Sequence, residues 1–126
     1  MVPRAHICTI PGDGIGQDVT EAALAVADAA LSKCGLPQMQ RDIVNAGAGY
    51  FRETERDIEP DGESRAKAAD AIFLGAIGLP SVRRKDGTEI SPHLRLRDQM
   101  ELYAGVRPVR AYPNATKVGG PACRSH

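Results

Sequence analysis

Four arginines crowd into one short run, Ser91 to Tyr112 (SPHLRLRDQMELYAGVRPVRAY): Arg95, Arg97, Arg107 and Arg110, with apolar residues between them. A guanidinium is charged at any working pH, and its planar fork matches a carboxylate bidentately. Two of them brought together can therefore clamp a substrate that carries several carboxylates. The pattern predicts a helix over about Leu94 to Tyr103, a break at Ala104-Gly105, and an extended segment from Val106 to Tyr112. Arg97 and Arg107 then stand ten positions apart on consecutive elements that fold back on each other. The same run also reads as a solvated helix face whose arginine stems snorkel along apolar surface. Residue types and spacing leave both readings open.

Two other stretches could do chemistry. Pro11 to Gly16 (PGDGIG) follows a short apolar, β-branched run, Ala5 to Ile10, and precedes a helical pattern. A glycine-rich turn between strand and helix lets the backbone approach an anion. The run is neither the dinucleotide fingerprint nor a phosphate loop with its Lys and Ser/Thr. A tight turn in which Asp13 caps the helix explains it as well. The second stretch, Gly75 to Ile90 (GAIGLPSVRRKDGTEI), is a long basic loop with Ser81, Arg83, Arg84 and Lys85. It follows an apolar strand, at the place where open α/β sheets bind ligands.

The elements that position these stretches follow from periodicity. Val19, Ala22, Ala23, Val26, Ala29 and Ala30 recur at helical spacing, predicting an amphipathic helix from Gln17 to about Lys33, closed by Gly35 and Pro37. Met39 to Val44 alternates as a strand, and Ala46 to Arg56 reads as a short helix or turn whose Arg52, Glu53, Glu55 and Arg56 form a solvated face. Asp61 is a candidate cap for a helix over Glu63 to Ala69, and Ala71 to Leu74 is a buried strand ending at Gly75. Strands alternating with helices predict an α/β fold with a parallel sheet.

Composition bounds the rest. The 126 residues carry 16 basic and 16 acidic side chains, so bulk charge gives no argument for nucleic acid. The three cysteines, Cys8, Cys34 and Cys123, share no metal-ligand spacing and read as reduced thiols of a cytoplasmic protein. Neither a signal peptide nor a membrane span is expected.

Taken together, IPGDGIGQDV (Ile10 to Val19), ADAIFLGAIGLP (Ala69 to Pro80) and LRLRDQMELYAGVRPVR (Leu94 to Arg110) resemble the N-terminal part of the β-decarboxylating dehydrogenases, the family of isocitrate, 3-isopropylmalate, homoisocitrate and tartrate/malate dehydrogenases. Order and spacing agree from about Ala5 to Asn114. The resemblance implies an isopropylmalate dehydrogenase-like α/β fold, distinct from an ordinary Rossmann fold, with its sheet incomplete in residues 1–113; residues 114–126 lie outside the resemblance and, without periodicity or an apolar stripe, read as a disordered tail. Arg97 and Arg107 match two of the three arginines that hold the malate-type carboxylates. Ser91 and His93 lie on the segment facing the variable substituent of the substrate. Ile15 and Gly75, Ala76, Ile77 and Gly78 match positions that contact the nicotinamide cofactor.

The activity implied is oxidation of a 2-hydroxy di- or tricarboxylate by hydride transfer to NAD or NADP, followed by loss of CO₂, with magnesium or manganese. The full-length enzyme is expected to be a homodimer. The third arginine, the family's tyrosine and lysine, and its metal-binding aspartates have no match in this chain. Its residues therefore show no catalytic or metal set, and the isolated chain is expected to be inactive. The alternative is a non-catalytic binding or regulatory module, or a truncated product, that pairs with a full-length subunit. His93 stands where isopropylmalate enzymes carry an apolar residue and isocitrate enzymes an amide, while Ser91 matches a serine of the isocitrate enzymes. A tartrate- or malate-like branch is equally compatible. His93 either donates to a substrate oxygen or is an exposed residue at the helix entry.

Overall fold

A computed structural model describes residues 2–109 of the chain. In order, these residues form β1 (His6–Gly12), α1 (Ile15–Lys33), β2 (Gln40–Ile43), α2 (Ala48–Thr54), α3 (Gly62–Ala68), β3 (Ala71–Ala76) and α4 (Pro92–Gln99). The expected tail, 114–126, and Arg110 lie outside the described residues.

The three strands make one parallel sheet in the order β2-β1-β3, with Thr9 in register with Ile43 on one side and Phe73 on the other. Parallel neighbours need crossovers, here α1 and the α2–α3 pair, so the carboxyl ends of all three strands open at one edge. Strand alternation splits β1 between two layers. Cys8 and Ile10, fully buried, join Val44, Ala46, Ile58, Ala66 and Leu96 in the core under α3 and α4. Thr9 points to the opposite layer, where α1 lies.

α1 meets the sheet through small residues. A Cβ on Gly75 of β3 would run into Pro11 O, and would sit 2.6 Å from Thr20 Oγ1 and 2.9 Å from Gly16 O. Gly16 and Thr20 are the buried residues of this helix. The stripe Val19, Ala22, Ala23, Val26, Ala29 and Ala30 therefore does not face the sheet: all six are exposed, Val26 to 70%. Gly16, Thr20, Leu24, Ala27 and Leu31 form a second stripe at the same helical spacing. It lies inward, with Gly16 and Thr20 buried where β3 carries the side-chain-free Gly75.

Helix ends depart from the pattern in instructive ways. Gly35, at φ 66°, closes α1, with its amide bonded to Ser32 O (3.1 Å) and the Leu36 amide to Leu31 O (2.9 Å). This is the Schellman arrangement that glycine favours. α4 ends the same way, but at Glu101 (φ 52°): its amide bonds Asp98 O at 3.0 Å and the Leu102 amide bonds Arg97 O at 3.0 Å. The helix therefore stops at Gln99, short of Tyr103, and begins earlier than expected, with Pro92 in its first turn. From Leu102 to Val109 the chain is exposed and forms neither helix nor strand, so the expected fold-back onto α4 is not formed by paired structure. Asp61 does occupy the cap position of α3, but its side chain makes no capping bond.

Candidate active site

The turn after β1 is held by one buried carboxylate. Asp13 does not cap α1; Gly14 occupies that position without any side-chain cap. Instead, Asp13 Oδ2 accepts the Ala48 amide (2.8 Å) and the Gly78 amide (2.8 Å), and Oδ1 accepts the Gly49 amide (2.7 Å). Its own amide donates to Ala76 O at 2.6 Å. One residue thus ties the first turn to the start of α2 and to the loop after β3. Gly47 makes room for it: φ is 121°, and a Cβ there would sit 2.5 Å from Oδ2. Asp13 was legible as a capping residue, but which helix it serves depends on a contact 35 residues away.

Two segments expected to touch a cofactor, the turn carrying Ile15 and the loop Gly75 to Gly78, are brought side by side by Asp13. Ile15 is 68% exposed at the first turn of α1. Gly78 is exposed, at φ 125°, and a Cβ there would meet nothing within 4 Å. Gly75 and Ile77 turn inward, Gly75 against α1 and Ile77 against the core. Ala76 uses its carbonyl on the Asp13 amide. Ile15 and the open backbone at Gly78 thus lie on two segments that Asp13 joins. Next to this turn lies a cleft of about 310 Å³, bordered by Gly12, Gly14, Gln17, Asn45, Tyr50 and Arg52.

α4 presents three faces. Pro92 and Leu96 are buried. Arg95 and Gln99 point to the α3 side: Arg95 donates to both oxygens of Asp57 (2.9 and 3.0 Å) and to Glu63 (2.6 Å), and Gln99 to Glu63 (2.9 Å). His93 and Arg97, one turn apart, border a pocket of about 160 Å³ with Ile72, Leu74 and Met100. Among the described residues the Arg97 guanidinium has no ion-pair partner. His93 is half-buried, and among the described residues its buried Nδ1 finds no hydrogen-bond partner, so it is not an exposed helix-entry residue. Burial, with the charge of Arg97 added, holds its pKa below the ordinary histidine value. Ser91 precedes the helix, and its hydroxyl makes no capping bond. Arg107 sits on the exposed stretch after the helix.

The basic loop is largely neutralised. Arg83 pairs with Glu89 at 3.1 Å, and Arg84 pairs with Asp57 at 2.6 Å while lying over the Phe51 ring. Asp57 is thus shared by two arginines from different segments, and the Arg95 hydrogen bonds are the leading cause that keeps its carboxyl below the usual range. Sequence reading assigned no role to Asp57 or Glu63; an acid between Arg56 and a turn gives no local signal. Among the described residues, no three His, Cys, Asp or Glu side chains converge to hold a metal ion. Asp57 and Glu63, the acids that α4 packs against, are already committed to Arg95, and the described residues do not fit a metal centre by themselves.

The sequence profile of isocitrate/isopropylmalate dehydrogenases matches residues 6–124, running past Asn114. Among curated proteins, the chain is 34% identical over 122 residues to 3-isopropylmalate dehydrogenase of Symbiobacterium thermophilum, covering 88% of this chain and 30% of that protein. It is 33% identical to a probable tartrate dehydrogenase/decarboxylase of Agrobacterium vitis (87% and 30% covered) and 28% identical to the decarboxylating D-malate dehydrogenase of Escherichia coli (90% and 31% covered). Among solved structures, the TT0538 protein from Thermus thermophilus superposes with a TM-score of 0.72 at 31% identity, over 90% of this chain and 21% of that one. A β-decarboxylating dehydrogenase from Thermococcus kodakarensis shares the fold at a TM-score of 0.56, over 79% and 27%. The chain thus spans about 30% of the length of the curated relatives it matches. With its motifs in order, its parallel sheet and this near-complete match, the chain belongs to the isocitrate/isopropylmalate dehydrogenase family.

Proposed function

We propose that the chain forms one wall of the active site of an NAD- or NADP-dependent dehydrogenase that oxidises and decarboxylates a 2-hydroxy di- or tricarboxylate of the 3-isopropylmalate, isocitrate or tartrate/malate type. The observation that carries this reading is the tether at Asp13, which sets the Ile15 turn against the Gly78 loop at the carboxyl edge of the sheet. Among the described residues, Arg97 makes no ion pair on its face of α4. In this reading Arg97 and Arg107 bind the carboxylates, Ser91 and His93 face the variable substituent, and Ile15 with the Gly75–Gly78 segment lies against the cofactor. The nicotinamide, when bound, accepts the hydride. An always-charged guanidinium orients a diacid without a competing proton equilibrium, and a neutral His93 can offer one nitrogen to a substrate oxygen. Magnesium or manganese belongs to the reading as a requirement of the complete enzyme, a cytoplasmic homodimer; the described residues do not form its site.

By itself the 126-residue chain binds without turnover in this reading, since an acid, a base and a metal set are needed for the chemistry. A second reading, a module that pairs with a full-length subunit, is favoured by the exposed apolar stripe on α1, where Ile15, Val19 and Val26 are 68%, 45% and 70% exposed. The test is to assay NAD and NADP reduction with isocitrate, 3-isopropylmalate, tartrate and D-malate in the presence of Mn²⁺, alongside D-malate binding. Binding that disappears in Arg97→Ala and Arg107→Ala, without turnover, is the expected result. Turnover by the purified chain overturns the inactivity, and binding unchanged in both variants overturns the assignment of the arginines.

A further inference from the structure

Arg95 and Arg97 lie two positions apart, which on a helix is about 200° of rotation. One can therefore be anchored while the other points away. Arg95 is anchored by its Nη1 and Nη2 on Asp57 (2.9 and 3.0 Å) and its Nε on Glu63 (2.6 Å). The Asp57 side chain is only 11% exposed. Its segment is fixed in turn: Asp57 O accepts the Gly47 amide at 2.8 Å, and Ile58 bridges Ala46. A planar fork on a carboxylate that cannot move restrains both roll and slide of the helix that carries it. α4 needs such a restraint. It has eight residues, no side-chain cap, and only Pro92 and Leu96 buried.

We propose that Arg95 is a positioning residue, which through Asp57 and Glu63 sets the roll of α4 and so aims Arg97 at a diacid ligand. The inference rests on the diacid-binding reading of Arg97 given above. Asp57 Oδ2 also accepts Arg84 Nη2 at 2.6 Å, so the loop that follows Gly78 takes its register from the same carboxylate as the helix.

The test is a D-malate titration of the 126-residue chain followed by amide chemical shifts, in wild type, R97A, R95A, R95K, D57N and R95A/D57N. R97A abolishes binding. R95A and D57N each weaken it by about tenfold and the double variant loses much less than the product of the two, because both disrupt the interaction they share; R95K recovers part. If Arg95 were itself a ligand, freeing it in D57N would leave or improve affinity, and that result overturns the proposal. Wild-type affinity in R95A overturns it too. Should D57N fail to fold, E63Q replaces it, with a smaller loss expected. If wild type does not bind, or binds as R97A does, the diacid reading fails and the positioning role is judged by amide hydrogen exchange. Exchange over Leu94 to Gln99 must then accelerate by about tenfold in R95A while β1 is unchanged; unaltered exchange in α4 overturns the proposal.

Discussion

Replacing Asp13 separates a structural tether from a mere turn residue. Its carboxylate serves three backbone donors, two on Oδ2 (Ala48 and Gly78) and one on Oδ1 (Gly49), at 2.7–2.8 Å. In Asp13→Asn the amide oxygen can take the Oδ2 place and keep two of them. The Gly49 N–H then faces an NH₂ group and is left unsatisfied. A hydrogen bond to a charged group contributes about 1.5–3 kcal/mol, and a buried donor without a partner costs about 1–3 kcal/mol. The Asn variant should therefore lose about 2–3 kcal/mol, and Asp13→Ala, which strands all three donors, roughly 4 kcal/mol or more. With a urea slope of about 1–3 kcal/mol per molar, the Asn variant moves the unfolding midpoint down by roughly 1–2 M. Amide exchange gives the residue-level readout. Gly49 loses protection in both variants, whereas Gly78 loses it only in the alanine variant. Equal stability of the two variants, or a Gly78 amide still protected in Asp13→Ala, refutes the tether.

Gly75→Ala should cost about 1–3 kcal/mol in urea unfolding, because the new methyl meets Pro11 O and Thr20 Oγ1 between strand and helix. Glu101→Gly should stabilise by about 1 kcal/mol, since Glu101 holds a left-handed conformation (φ 52°) that glycine adopts without a Cβ clash; a lowered midpoint would contradict this. Asp57 has a folded-state pKa lowered by its arginines. Its contribution is therefore fully present above the unfolded value of about 3.9 and is lost as pH falls through the folded value. Asp57→Asn should remove that part of the acid limb when the urea midpoint is followed from neutral pH into acid. His93 has a folded-state pKa below its unfolded value of about 6.5, so the unfolded chain takes up the proton first and stability declines as pH drops below that point. An imidazole NMR titration should show its midpoint below that value and moving up in Arg97→Ala, where one cause of the shift is gone.

What could be read along the chain were the features that depend on neighbours in sequence. Each strand and helix among the described residues has a counterpart in the sequence, α2 only as a short helix or turn, because side-chain period and glycine or proline punctuation are local. The end of α1 was visible at Gly35, a residue suited to the left-handed cap. The end of α4 was not, because Glu101 takes the same conformation without advertising it. The family was also legible, since three motifs in fixed order carry more information than any one turn.

Tertiary structure decided the questions in which two local answers were equivalent. Both stripes of α1 have helical spacing, and only the close approach of Gly16 and Thr20 to Gly75 determines which one lies inside. Asp13 had the right chemistry for a helix cap, but the donors that reached it belong to α2 and to the loop after β3. Arg95 and Arg97 are the same residue type two positions apart; residue type and spacing determined only that both are permanently charged, and the family resemblance singled out Arg97 without saying what Arg95 does. Which of them is tied into the fold was decided by Asp57 and Glu63, carboxylates that are more than 30 residues away in the chain and adjacent only once α3 and α4 have packed.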